Sequence, residues 1–430
     1  MADTLKTYFD FAQFSMAAYA PLPIGTPQTA ALQGAGFADM LAVKFATNYR
    51  VVSVPSAEQQ QFGFFAQVFE RWNTSEDHGT GEYMLAIRGT DDAADILIDA
   101  VSIGILGSEN LNPQYGKLKE YVKALTDPGG LLAGKTFSVT GHSLGGFLAQ
   151  ALATDATYAA RIDKVYTYNA PGFGGPVTDL LNALGISNPL VGSVPVGKVT
   201  NLVASNGLSL VAGLGQHIGE VQQVFIQEGT SLNDHAIATL TDSLALYRLF
   251  ETIDPTTVTV LSLTTILNAA SNVPERSLGS TLDALRQLFQ PEDSTFVATP
   301  AFQSLDADAT NRNTYYTHLQ GLSDSLPAGT FHVVNLAEDI PGGVFLQAQS
   351  ADGLAYRYAL TELNPFAVIG SDPGGTTALY QRHNGQQELE LVNVTTGTGT
   401  LTLDYLQDRE LFLKEKIALN QLDLQASSGN

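Results

Sequence analysis

A chain of 430 residues in which 43 Asp and Glu outnumber 21 Lys and Arg, for a net charge of −22, has no basic surface to set against phosphates. This excludes nucleic acids and anionic lipid headgroups as electrostatic partners, so any membrane contact must be apolar. Hydrophobic residues at 44% and aromatics at 9% allow a sizeable core, and the absence of cysteine excludes disulfides, thiolate metal sites and a cysteine nucleophile.

The segment MADTLKTYFDFAQFSMAAYA places Leu5, Tyr8, Phe9, Ala12 and Met16 at helical spacing, which predicts an amphipathic helix packed on a core. It lacks the basic start and unbroken apolar run of an export signal, and no apolar run in the chain is long enough to span a bilayer. With zero cysteine, the expectation is secretion by a route without a cleaved N-terminal signal, the alternative being the cytoplasm. After the turn-forming PLPIGTPQ, strands are predicted at YRVVSVP (49–55), FGFFAQVFER (62–71) and EYMLAIRG (82–89), and a helix over Asn112–Leu125 closed by Asp127-Pro128-Gly129-Gly130. Strand and helix then alternate: TFSVT (136–140), helix Leu144–Ala153, KVYTYNA (164–170), helix Val177–Leu184, KVTNLVA (198–204), VQQVFIQ (221–227) and helix His235–Ile253. Such alternation predicts an α/β domain over 1–255, its mostly parallel sheet covered by helices on both faces.

Beyond Asp254-Pro255 the rhythm changes. Residues 256–325 read as a mixed connecting region with one clear helix, Leu278–Phe289. Residues 326–430 read as a β-rich accessory region, with strands expected in TFHVVNLA, GVFLQAQS, LAYRYAL and LELVNVT before a closing helix, Leu406–Leu419. No internal repeat is found, and the glycine-rich nonapeptide that binds calcium is absent.

The chemistry points to Gly141-His142-Ser143-Leu144-Gly145-Gly146, set between the strand TFSVT and an apolar helix. A strand–turn–helix of this tightness needs small residues at Gly141 and Gly145, lifts the Ser143 hydroxyl above the sheet, and aims the first amides of the helix at a reacting oxygen. An oxyanion hole draws one donor from the residue after the serine, here Leu144, and another from an earlier strand end. Thr90, in AIRGTDD, can offer both its amide and its hydroxyl, although a Thr at a strand end is commonly just a turn cap. A serine also needs a base. Of seven histidines, His142 lies inside the turn, His78 precedes the serine's strand, and His318, His332 and His383 fall in the less hydrolase-like second half. His235 and His217 remain; His235 follows the last strand of the sheet, where the chain order Ser–acid–His puts the base, and is preferred.

The pair LAIRGTDD and SVTGHSLGGFLAQ resembles the signature of class 3 lipases, in which an apolar-x-R-G-Ser/Thr strand end accompanies G-H-S-L-G-G. Asn233-Asp234-His235 is similar to the histidine motif of bacterial type I-secreted lipases, and LAYRYALTELNPFAV with LQDRELFL is similar to the lipase-like modules at the front of repeats-in-toxin exoproteins. The resemblance implies an α/β-hydrolase fold with Ser143 and His235 as catalytic pair and Thr90 as oxyanion residue. The acid departs from the pattern: where the family ends a strand on Asp, KVTNLVA runs into Ser205-Asn206-Gly207-Leu208. Asn206 could orient the imidazole through its amide carbonyl, and Glu220 and Asp179 are the carboxylate alternatives. Two apolar stretches, 96–107 and 207–215, are either buried core or the wall of an acyl-chain site. The expected activity is carboxylester hydrolysis of lipids, possible at a lipid–water interface and needing no cofactor or metal. The alternatives are a phospholipase A1 or lysophospholipase, and a lipase-like module of an adhesive exoprotein without turnover. Oligomeric state is not legible.

Overall fold

Thr4 opens the first helix, α1 (Leu5–Ala17), by accepting the Thr7 amide on its hydroxyl. The helix is less amphipathic than its spacing suggests, because eleven of its thirteen residues are buried. Sheet covers one side of it, and on another Phe14 meets Phe45 edge-on, with ring centroids 5.3 Å apart. A short helix, α2 (Thr29–Gly34), and α3 (Asp39–Asn48), which carries Phe45, lead into the sheet. The computed structural model describes residues 4–89, 108–172, 197–206, 217–227, 235–270, 277–290, 296–302, 309–327, 330–350, 352–371 and 374–427. They fall into two units, Met1–Asp242 and Ser243–Asn430.

The sheet of the first unit has seven strands in the order of the chain: β1 (Tyr49–Ser53), β2 (Ala66–Asn73), β3 (His78–Ile87), β4 (Phe137–His142), β5 (Ile162–Tyr168), β6 (Val199–Ala204) and β7 (Glu220–Val224). The first three pair antiparallel, and β3 through β7 are parallel. Laying each parallel strand beside the last by right-handed crossovers puts the connecting helices on one face. Accordingly α4 (Ser108–Thr126) and α5 (Leu144–Thr154) share a core with the strands, Leu118, Val122, Phe147 and Leu148 packing on Val139 and Val165. The strand period of two sends the alternate residues to the other face, where α1 lies. Ser15 and Thr140 bond hydroxyl to hydroxyl at 2.7 Å, and the Tyr168 hydroxyl donates to the Tyr8 carbonyl at 2.6 Å. The architecture is thus α/β, with helices on both faces of a mostly parallel sheet. The helix expected over Val177–Leu184 and the apolar stretches 96–107 and 207–215 lie outside the described residues. After β7 comes α6 (Ile237–Ile253), in which the division between the units falls.

The second unit is more helical than its sequence suggests. Residues 256–325 hold α7 (Val260–Ala270), α8 (Ser277–Phe289) and α9 (Ala309–Ser325), where one helix was expected. A second, two-stranded antiparallel sheet follows, β8 (Phe331–Asn335) against β9 (Phe366–Gly370). Two other segments expected as strands are helices instead: GVFLQAQS contains α10 (Gly343–Gln347), and LAYRYAL lies in α11 (Gly353–Glu362). All but the last two residues of α11 are buried, so its apolar residues follow no single stripe and read as strand. LELVNVT makes only isolated bridges, Leu391 with Leu401 and Asn393 with Thr398. The last elements are α12 (Gly375–Tyr380) and α13 (Leu403–Ser427). Asp254, fully buried, gathers the start of the unit by accepting the amides of Thr256, Thr257 and Val333 at 3.0–3.1 and 2.9 Å.

Candidate active site

The favoured candidate groups in the described residues lie at or beyond the carboxyl ends of the parallel strands, where ligands of open α/β sheets bind. Ser143 follows β4, Asn206 follows β6, and His235 comes in after β7. The exceptions are Glu220, which opens β7 rather than following it, and His217, which precedes it.

Ser143 has φ 55° and ψ −125°, a region that L side chains rarely occupy, and it is 1% exposed. Its backbone is held on both sides: the Ser143 amide donates to the Tyr168 carbonyl at 2.9 Å, and the Ser143 carbonyl accepts the Phe147 amide at 3.1 Å. Neighbouring glycines permit the turn. A Cβ on Gly141 would stand 2.3 Å from the Gly145 carbonyl carbon, and one on Gly145 would stand 2.2 Å from the Ile87 carbonyl oxygen. The turn is therefore wedged against the end of β3, the strand that runs into Arg88-Gly89-Thr90. Leu144 is the first residue of α5, so its amide sits at the positive end of that helix. Thr90 lies outside the described residues.

His235 is 1% exposed, and neither ring nitrogen has a hydrogen-bond partner among the described residues. Burial pushes its pKa down to about 4. Its ring stacks obliquely on that of His142, the residue before Ser143, with centroids 4.9 Å apart. His142 is itself lowered to about 3, first by burial and then by its neighbour His235. The structure thus brings His235 to the serine turn. His217 is half-buried and stands just before β7, at the opposite end of that strand from the loop leading to His235.

The third position is different. Asn206 is buried, and its amide serves the backbone: Nδ2 donates to the Ile226 carbonyl at 2.7 Å and Oδ1 accepts the Ile226 amide at 2.9 Å. It extends the β6–β7 pairing by one side chain and makes no bond to the His235 ring. Glu220 is exposed, level with Thr200 on β6 at the outer strand, and accepts from Gln222. Asp179 and Asp234 lie outside the described residues. Three groups to which no local sequence pattern gives a role also stand here: Tyr19, His142 itself and Asn169. Their partners are 66 to 123 residues distant in the chain, and no local pattern announces such contacts. No group of metal-binding side chains occurs among the described residues.

No protein-family model and no curated protein matches the sequence. Among solved structures, the Lip2 lipase of Yarrowia lipolytica is similar with a TM-score of 0.33 and 17% identity, over 52% of this chain and 79% of its own. A triacylglycerol lipase from Penicillium expansum gives 0.26 and 12%, over 56% and 89%. The M37 lipase gives 0.27 and 14%, over 74% and 94%. The parallel sheet with a strained serine between β4 and α5 is the α/β-hydrolase arrangement.

Proposed function

We propose that this chain is a serine carboxylester hydrolase that releases fatty acids from acylglycerols through an acyl-enzyme on Ser143. The observation that carries the reading is the backbone of Ser143 at φ 55°, ψ −125°, at the head of α5, with the buried imidazole of His235 packed on the ring of the preceding His142. A non-glycine residue in such a conformation costs on the order of 1–3 kcal/mol, and strain of that kind persists where it serves a site. In this mechanism Ser143 Oγ attacks the ester carbonyl while His235, kept neutral by burial, takes its proton. The Leu144 amide and Thr90 hold the oxyanion, the alcohol leaves with the proton from His235, and water then releases the acid. Asn206 serves the Ile226 backbone and Glu220 opens β7, which favours Asp179 as the carboxylate that orients His235. The motifs around His235 and in the second unit extend the proposal to a lipase-like module of an exoprotein.

A fluorophosphonate probe tests the reading. Wild type should label and Ser143→Ala should not; a panel of p-nitrophenyl esters beside phospholipids then separates a lipase from a phospholipase A1. A second reading, a module without turnover, draws on the unpartnered ring nitrogens of His235. A wild-type protein that is folded and takes no label would favour it.

A further inference from the structure

Resting on the assignment of His235 as base, we propose that His142, Asn169 and Tyr19 form a positioning network that aims this base by gripping its backbone carbonyl. Catalytic histidines are usually fixed through the ring. Here the ring nitrogens have no partner among the described residues, yet the residue is not loosely held. The His235 carbonyl accepts two side-chain donors, Nε2 of His142 at 2.7 Å and Nδ2 of Asn169 at 3.3 Å.

Each donor is fixed in turn. A carbonyl only accepts, so His142 Nε2 must carry the proton, which leaves Nδ1 as an acceptor. Tyr19 fills it, with its hydroxyl 2.9 Å from Nδ1. The tautomer of His142 is therefore set by a residue that follows α1, and a protonated His142 would bring two donors face to face at Tyr19 unless that hydroxyl turned. Asn169 stands just past β5 with φ 45° and accepts the Ala204 amide on Oδ1 at 2.9 Å, so its Nδ2 has one direction to point. The two donors come from the ends of adjacent strands, β4 and β5. One of them is the residue before the nucleophile. The grip thus ties the base to the same peptide unit that carries Ser143, and a shift in one shifts the other. His142 and Asn169 act through the His235 carbonyl, so they are positioning residues.

The test is steady-state hydrolysis of p-nitrophenyl butyrate, with melting temperature measured on every variant. His142→Leu removes the donor, and a displacement of about 1 Å in a catalytic group can cost on the order of 100-fold. We expect kcat to fall by about that factor with KM within about twofold, and fluorophosphonate labelling to slow in step. His142→Gln keeps an amide N–H in place of Nε2–H and should recover most of the loss, which a packing role alone would not produce. Wild-type kcat in His142→Leu, or equal damage in both variants, would overturn the proposal. Should His142→Leu fail to fold, Tyr19→Phe decides: it removes one hydroxyl, and it should lower kcat several-fold at unchanged KM, whereas no change in kcat overturns the network. Ser143→Ala and His235→Ala run alongside. If either retains activity, the assignment of the pair fails first; if both are dead and the network variants are unimpaired, the network alone fails.

Discussion

Ser143 and its neighbours reward residue-level tests because each is held for a different reason. Ser143→Ala should abolish ester hydrolysis and fluorophosphonate labelling while leaving the circular dichroism unchanged; activity in a folded variant would remove Ser143 as nucleophile. Thr90→Val should lower kcat by roughly ten- to a thousandfold with little change in KM, since an oxyanion donor acts mainly in the transition state. Gly145→Ala should fail to fold stably, because its methyl group would lie 2.2 Å from the Ile87 carbonyl oxygen. Asn206 separates structure from chemistry. Its amide bridges the Ile226 backbone twice, so Asn206→Ala should cost about 1–3 kcal/mol in denaturant unfolding, the penalty of leaving those buried groups unsatisfied. A fall in kcat at unchanged stability would instead return Asn206 to the imidazole. The serine turn was legible in six letters because tight turns need glycine at fixed places. The role of Asn206 was not, since an Asn after a strand reads the same whether it serves a ring or a backbone.

At the scale of elements, the strands of the first unit were legible within a few residues, because a buried parallel strand leaves a short apolar run between polar turns. Helices of the second unit were read as strands where burial erased their stripe, as in α11, whose aromatic and apolar residues mimic a β pattern. The pairing of β8 with β9 joins residues 331–335 to 366–370, across a helix-bearing stretch that offers no hairpin signal. Two substitutions probe what holds the elements. Phe14→Ala, in a cluster with Phe45, Tyr49 and Phe69, should cost about 3–5 kcal/mol, the usual loss for emptying a buried phenyl site. Asp254→Ala should cost on the order of 3 kcal/mol, as three backbone amides lose a buried acceptor together. A change under about 0.5 kcal/mol in either would mean that the element is anchored elsewhere.

The whole molecule has a pH dependence whose sign follows from its two buried imidazoles. Both have folded pKa values below the ordinary 6.5, His235 at about 4 and His142 at about 3. Between those values and 6.5 the unfolded chain binds more protons than the folded one, so these groups make stability rise with pH. Their contribution is complete above pH 6.5, declines as the pH falls below it, and is lost by about pH 4 for His235 and about pH 3 for His142. His142→Gln should therefore flatten the fall in melting temperature between pH 7 and pH 4, relative to wild type. An unchanged slope would place His142 in contact with water. Activity should follow the proposed base: if a neutral His235 accepts the serine proton, kcat/KM should hold down to about pH 4. An acid limb centred near 6.5 would mean an exposed base. The net charge of −22 adds a separate, salt-sensitive term, and the melting temperature at neutral pH should rise with moderate salt as self-repulsion is screened.

The strand order also sets a schedule for synthesis. Each strand of the sheet pairs with the one made just before it, so the sheet can grow as the chain emerges. Helix α1 cannot keep that pace. It is made before the strands, but Ser15 waits for Thr140 and the Tyr8 carbonyl waits for Tyr168, 160 residues later. At the usual 5–20 residues per second the face of α1 that meets β4 and β5 stays uncovered for roughly ten to thirty seconds, although Phe14 can meet Phe45 and Phe69 sooner. During that interval the waiting face of α1 is an adhesive part of the nascent chain. Selection on Leu5–Ala17 thus includes what these residues meet before the fold exists.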